Sequence, residues 1–349
     1  MRRKNAAPLA ALAGLTLALT GCGSGASDAK PGASDAKLTI ACVNQEDWCQ
    51  YMTKAYQEQT GVQTEYVRFS GGEALGRLQA GVKSPEFDVW YGGGAEDHIA
   101  GAAAGVAENY VSAAASATPA EYKDAKGSWT GIYGGALGFC SNTAKLAKLG
   151  VKAPTSWADL LDPKLKQEVA VSNPATSSTA YNFLYTQYVL HGDDADGTFD
   201  YLSKLNTNIL QYSKTGAAPG QMAGRAEIAV GILFSHDCVK YKKQGMPLVL
   251  TFPKEGTGHE VGAVSLVKGT KNPAAAKAFI DWSVGAKAQG LYPSAGSSAI
   301  PTNSEVKADA AVIPFADVKL VTFDLANAGK LKKGLVARFD EDIATASRK

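Results

Sequence analysis

Histidine is scarce, with four residues in a chain of 349, and neither HExxH nor CxxC spacing occurs. A structural or catalytic zinc site therefore has no ligand pattern to rest on, and no metal site is expected. An excess of either charge is also missing, since 35 Lys and Arg face 33 Asp and Glu. That balance gives nucleic acid no strongly basic face to meet. No GxSxG elbow is present, because "FSGGE" at 69–73 lacks the glycine two residues before its serine. No pair of acids stands out as general acid and base, and His236 and Asp237, being adjacent, cannot both serve one proton relay. An exported hydrolase is thus the rival class rather than the first reading, and the expectation is no enzyme and no cofactor. Beyond the linker at 23–37 there is no repeat, which argues against an adhesive array. Past the N-terminus, no window is apolar enough for long enough to span a bilayer of about 30 Å.

What is present begins with Arg2, Arg3 and Lys4, then an apolar run from Leu9 to Leu19, then "LTGC" ending at Cys22. A basic region, a short apolar region and small residues define an export signal, expected over 1–21. The tetrapeptide resembles a bacterial lipobox, which makes Cys22 the expected lipidation site and the mature chain a lipoprotein held at the outer side of the cell membrane. Residues 22–37 repeat "GASDAK" and are too polar to bury a core, so they read as a flexible tether. Without residues 1–21, which carry three cations and no anion, 32 cationic side chains remain against 33 anionic ones. Four cysteines remain besides Cys22, an even number outside the cytoplasm. Cys42 and Cys49 are expected to bridge; for Cys140 and Cys238, a bridge and two buried thiols both stay open.

The folded part alternates strand-like and helix-like segments. "LTIACV" (38–43), "VQTEYVRF" (62–69) and "FDVWYGG" (87–93) read as strands, separated by helical runs at 46–60 and 72–82. The middle repeats the pattern, with "IYGGALGFCSN" (132–142), "EVAVSNP" (168–174) and "EIAVGILFSHD" (227–237) as strands and "TSWADLLDP" (155–163) as a short helix. Two further strands are expected over 248–270 and a helix over 273–292. Alternation at this spacing predicts an α/β fold with a parallel sheet. Some 310 residues are too many for one core and suit two lobes.

Seven segments in order then carry a resemblance: "FSGGEALGRL", "DVWYGGG" followed by Asp97, "GALGFCSNT", "SWADLLDPKLKQEVAVSNPATSSTAY", "GAAPGQMAGRAEIAVGILFSHD", "EGTGHEVGAVSLVKGTKNPAAAKAFIDWSVGAKAQ" and "AIPTN". The chain from residue 38 onward resembles the type 2 periplasmic-binding-protein fold of ABC importers, in the branch that takes ferric ion, phosphonates, sugar phosphates or thiamine. The resemblance implies a monomer with a ligand cleft between two lobes and delivery to a membrane permease and its ATPase. It implies one lobe of 38–131 with 257–305, a second of 139–247, hinge crossings at 132–138 and 248–256, and C-terminal helices in 306–349 across both.

Within that fold, "FSGGEALGR" falls at a strand's carboxyl end facing the cleft, where Ser70, Gly71 and Gly72 offer a cap hydroxyl and open backbone amides. Two similar helix starts occur, one at Thr176, Ser177, Ser178 and Thr179 and the other at Thr215, Gly216 and Ala217. Their convergence predicts a cradle for phosphate, phosphonate or carboxylate. Tyr91 and Gly92 are candidates for the cleft wall. Where the iron-binding branch ends a strand in two adjacent tyrosines, this chain has Ser235, His236 and Asp237. One His and one Asp replace two phenolates poorly for a hard trivalent cation, so a small organic anion ranks above ferric iron as the cargo.

Overall fold

The computed structural model describes residues 37–344, so Cys22, the signal segment and the linker up to residue 36 lie outside the described residues. The chain opens with β1 (Leu38–Val43), α1 (Glu46–Thr60), β2 (Thr64–Arg68), α2 (Gly71–Ala80), β3 (Val89–Gly94), α3 (Ala95–Ala103) and a short β4 (Ala107–Glu108). Next come β5 (Thr130–Asn142), α4 (Thr143–Leu149), β6 (Val169–Ser172), α5 (Ser178–Leu190), α6 (Ala195–Asn206), β7 (Ile209–Ser213), α7 (Ala218–Gly224), β8 (Val230–Phe234), α8 (Ser235–Lys243) and β9 (Leu248–Thr251). It returns through β10 (His259–Val267), α9 (Pro273–Val284), α10 (Ala286–Gln289) and β11 (Ile300–Pro301) to α11 (Leu325–Phe339).

Local sequence explains these elements. Glu46 and Asp47 supply the negative charge that a helix N-terminus favours, and Trp48, Met52 and Tyr56 recur every four residues on the buried face of α1. Gly61, at φ 78°, ends that helix in the left-handed conformation. "TSWADLLDP" departs from its expected helix and forms two 3₁₀ turns, Ala158–Leu161 and Pro163–Leu165, because Pro163 cannot continue the ladder. The strand expected over 227–237 stops at Phe234, which puts His236 and Asp237 in the first turn of α8.

The strands run in the order β2-β1-β3-β10-β5-β8-β6-β7, with β4 on β10 and both β9 and β11 on β5. The expected parallel pairing holds for β1 with β2 and β3, and for β6 with β7 and β8. The sheet is nevertheless mixed, since β10 runs antiparallel to β3 and β5, and β5 antiparallel to β8. β5 joins the two halves: Thr130–Ala136 lies along β10, and Leu137–Asn142 along β8 and β9. Each half is covered on both faces and forms a lobe. In the first, Trp48, Tyr91, Phe279 and Tyr292 pack one face and Leu75, Leu78 and Trp90 the other. In the second, Trp157, Phe183, Phe199 and Phe234 share a core with Ala328, Leu335 and Phe339 of α11, a helix that also packs against α3 of the first lobe. Cys42 is bonded to Cys49 and Cys140 to Cys238.

Candidate functional site

Strand ends of both lobes meet around a cavity of about 70 Å³ that is walled by the starts of α2, α5 and α8 and by the turn before α7. Of the residues expected to bind, Ser70, Gly71, Ser177, Ser178, Thr215, Gly216, Ala217, His236 and Asp237 line it together. Segments about 150 residues apart in the chain converge here because each follows a strand of the same sheet.

Four expected residues do not line it. Tyr91 is fully buried in the first-lobe core, stacked on Trp48 at 4.6 Å and edge-on to Phe279. Alternation along β3 turns that ring away from the cavity, into the same face as Trp48. Gly92, at φ 89°, passes so close to β1 that a Cβ would lie 2.4 Å from the Val43 carbonyl oxygen. Its conformation and the tight approach call for glycine, and its role is in the strand end. Thr176 spends its hydroxyl on the carbonyl of Lys214, 2.9 Å away. Gly72 donates its backbone N–H to the carbonyl of Thr176 at 3.0 Å, so that amide is already used across the lobes.

The hydroxyls divide into used and free. Ser70 donates to Glu73 Oε2 at 2.7 Å, and Ser178 to Asp97 Oδ2 at 2.6 Å. Ser177 accepts the N–H of Ala180 at 3.3 Å and keeps its own proton, while the Thr179 and Thr215 side chains have no partner among the described residues. The N–H groups of Gly71, Ser178 and Thr179 sit in the first turns of α2 and α5, where the helix offers them no carbonyl. This end of the cavity is a set of converging donors, with the Arg68 guanidinium held at its rim by a 2.9 Å bond to the Asn44 carbonyl.

The opposite end is different in kind. His236 Nε2 lies 3.4 Å from Glu260 and 3.9 Å from Asp237, and Gln45 Nε2 donates to Asp237 at 3.4 Å. Burial pushes the Glu260 carboxyl well above the usual carboxylate range, and the charge of Asp237 adds to that. Burial likewise raises Asp237, against the pull of His236, and lowers His236, against the pull of Asp237. All three directions favour neutral groups, which both donate and accept hydrogen bonds. Tyr133 accepts the Gly93 N–H at 3.2 Å and retains its phenolic proton for the cavity. Among the described residues, no group of three or more His, Cys, Asp or Glu is arranged to hold a metal ion.

Asn44, Gln45, Arg68, Tyr133 and Glu260 line the cavity without having been expected, and Thr179, from the same helix start as Ser177 and Ser178, lines it too. Two signals point to some of them. Asn44 and Gln45 follow a strand, as the other helix starts do, and Glu260 is an acid at the head of the otherwise apolar run "VGAVSLV".

Comparison with known proteins agrees with this architecture. Residues 83–327 match the family model described as bacterial extracellular solute-binding protein. The periplasmic binding protein AfuA from Actinobacillus pleuropneumoniae, solved with exogenous fructose-6-phosphate bound, is 34% identical, with 89% of this chain and 99% of that one covered at a TM-score of 0.86. A putative 2-aminoethylphosphonate-binding periplasmic protein of Salmonella typhimurium is 28% identical over 183 residues, 52% of this chain and 51% of that protein. Iron-bound HitA from Pseudomonas aeruginosa shares the fold at 20% identity and a TM-score of 0.73, over 86% of this chain and 98% of its own. With the family model covering most of the chain and a relative one-third identical along nearly all of it, the protein belongs to the bacterial extracellular solute-binding proteins of ABC importers and has their two-lobed type 2 fold.

Proposed function

We propose that this protein captures a small organophosphate with a hydroxyl-rich body, a sugar phosphate or close analogue, and hands it to an ABC permease and its ATPase. The observation that carries the reading is the polarity of this interlobe cavity. One end converges free hydroxyls and first-turn amides, which suit a phosphoryl group. The other holds His236, Asp237 and Glu260 in environments that favour neutral forms, which suit alcohols better than a cation. The fructose-6-phosphate bound to AfuA supports the same class. Ligand bridging both lobes would favour the closed form of a hinge equilibrium. The hinge would run through 132–138 and 248–256, between a lobe of 38–131 with 257–305 and a lobe of 139–247. Anchoring through lipid on Cys22 would keep the captured solute near its permease, and the protein would act as a monomer.

A second reading, an aminoalkylphosphonate, rests on Asp237 and Glu260, which become partners for an ammonium if they ionise when it enters. Isothermal titration with fructose 6-phosphate, 2-aminoethylphosphonate, inorganic phosphate and ferric citrate tests both. Tightest binding of the sugar phosphate, without turnover, is the expected result. Preference for the aminophosphonate selects the second reading, and hydrolysis of the phosphate ester would return the protein to the enzymes.

A further inference from the structure

We propose that Asp97, which lies behind the cavity, is the positioning residue of lobe closure: one carboxylate of the first lobe holds the second lobe at Ser178 and, through Lys332, the helix α11 that spans both lobes. Asp97 opens α3, whose neighbour His98 is tied to the first-lobe strands through Ser265 at 2.7 Å and the Gly92 carbonyl at 3.1 Å. Its Oδ2 accepts the hydroxyl proton of Ser178, at the start of α5, and its Oδ1 lies 2.5 Å from Lys332 Nζ on α11. Ser178 belongs to the second lobe, and Lys332 to α11, a helix that packs against α3 of the first lobe as well as into the core of the second. α11 contributes to that lobe's core, accepts a bond from Tyr181 of α5 at the Ala328 carbonyl, and pairs Arg338 with Asp196 of α6 at 2.8 Å. Lys332 also stands 4.0 Å above the ring of Tyr181, so its charge is held by a carboxylate of one lobe and an aromatic face of the other.

The junction is buried. Asp97 is fully buried, and Ser178 and Lys332 are each 7% exposed. A charge so placed is tolerated only while its partner and hydrogen bonds are in position, so separating the lobes would leave it unpaired until water enters. Gly71 completes the fit, since a Cβ there would lie 1.8 Å from Ser178 Oγ and 2.8 Å from Asp97 Oδ2. Because Ser178 gives its proton to Asp97, it can only accept from a ligand, while its backbone N–H remains to donate. Asp97 therefore sets the position of a cavity wall without lining the cavity.

This assignment rests on the cavity being the solute site, so the test uses two independent readouts. Asp97→Asn, Lys332→Met and the double variant are compared with the wild type by small-angle X-ray scattering without ligand and by titration with fructose 6-phosphate. Each single variant is expected to raise the ligand-free radius of gyration and to weaken fructose 6-phosphate binding tenfold or more. The double variant, which removes both charges of the pair, is expected to melt closer to the wild type than Lys332→Met and yet bind no better than Asp97→Asn, since both changes act at one junction. A folded double variant with wild-type scattering would overturn the proposal, as would single effects on scattering that simply add. If the wild type itself does not bind fructose 6-phosphate, the cargo reading fails, and the scattering comparison still decides the role of Asp97.

Discussion

The backbone N–H of Gly72 donates to the carbonyl of Thr176 at 3.0 Å, joining α2 of one lobe to the loop before α5 of the other. A Cβ on Gly72 would stand 2.1 Å from the Ala175 carbonyl oxygen, a contact with backbone that cannot give way cheaply. The φ of Gly72 is not positive, so valine suits the helix of the first lobe alone. Gly72→Val is expected to melt close to the wild type without ligand. It should weaken solute binding by at least about tenfold, or 1.4 kcal/mol, by obstructing closure rather than ligand access. Full affinity in the variant would show that this seam is not needed for capture.

Glu260 separates the two cargo readings. With burial holding its carboxyl neutral, glutamine copies its shape and its mix of donor and acceptor. Glu260→Gln should then cost less than about 1 kcal/mol of fructose 6-phosphate affinity, and Glu260→Ala about 1–3 kcal/mol, from the hydrogen bond lost. A large loss in the glutamine variant would mean the carboxylate form does the binding.

Ferric iron calls for phenolates, and the cavity-lining Tyr133 and its first-lobe neighbours Tyr91 and Tyr292 resist ionisation. Burial drives the Tyr133, Tyr91 and Tyr292 phenols well above their usual value, and Tyr292 also donates to the Ile132 carbonyl at 2.7 Å. Ferric citrate at neutral pH is expected to produce no tyrosinate charge-transfer band. A stoichiometric visible band would restore iron as cargo.

Glu96 gives the fold a pH dependence. It is fully buried beside Asp97, and burial raises its pKa to about 7, with Asp97 adding to the shift and Lys332 opposing it. The folded state then holds a proton that the unfolded chain has already released, so this contribution to stability is full below about pH 4.5 and is lost as the pH climbs to about 7. The loss is on the order of 3 kcal/mol. Glu96→Gln removes it, and the melting temperature of the variant minus that of the wild type should rise between pH 5 and pH 8. A difference independent of pH would rule out titration of Glu96 in this range.

The two disulfides should differ in weight. Cys42–Cys49 closes a separation of 7 residues and Cys140–Cys238 one of 98. Chain entropy alone then ascribes about 2 kcal/mol to the first and about 5 kcal/mol to the second. Replacing Cys140 and Cys238 together with alanine should lower the denaturation midpoint more than replacing Cys42 and Cys49. The reverse order would show that native-state strain, not loop closure, governs them.

Much of the fold was legible because its signals are local. Alternating periods marked β1, β2, β3 and the helices between them, while Ser70, Ser177 and the glycines marked helix starts and turns. The antiparallel placing of β5 and β10 was not legible, since strand direction depends on which strand a segment pairs with, and that partner is distant in the chain. The cavity was half legible for the same reason. Strand-to-helix junctions announced Ser70, Ser177 and Thr215, but Tyr133 and Glu260 lie inside strands, where only the facing of the pleat tells cavity from core.

By itself the sequence determined the kind of fold this is: two α/β lobes and three hydroxyl-rich helix starts of one chemical type. The tertiary structure alone decided what each group does. Gln45 and Asp237, 192 residues apart, become neighbours, and Gly71 and Gly72 prove to make room for the other lobe. Burial shifted Asp237, Glu260 and His236 away from their charged forms. The physical reason is common to all three. Periodicity and capping act over a few residues and can be read along the chain, whereas close approach, desolvation and the sharing of a proton exist only between surfaces that the fold has brought together.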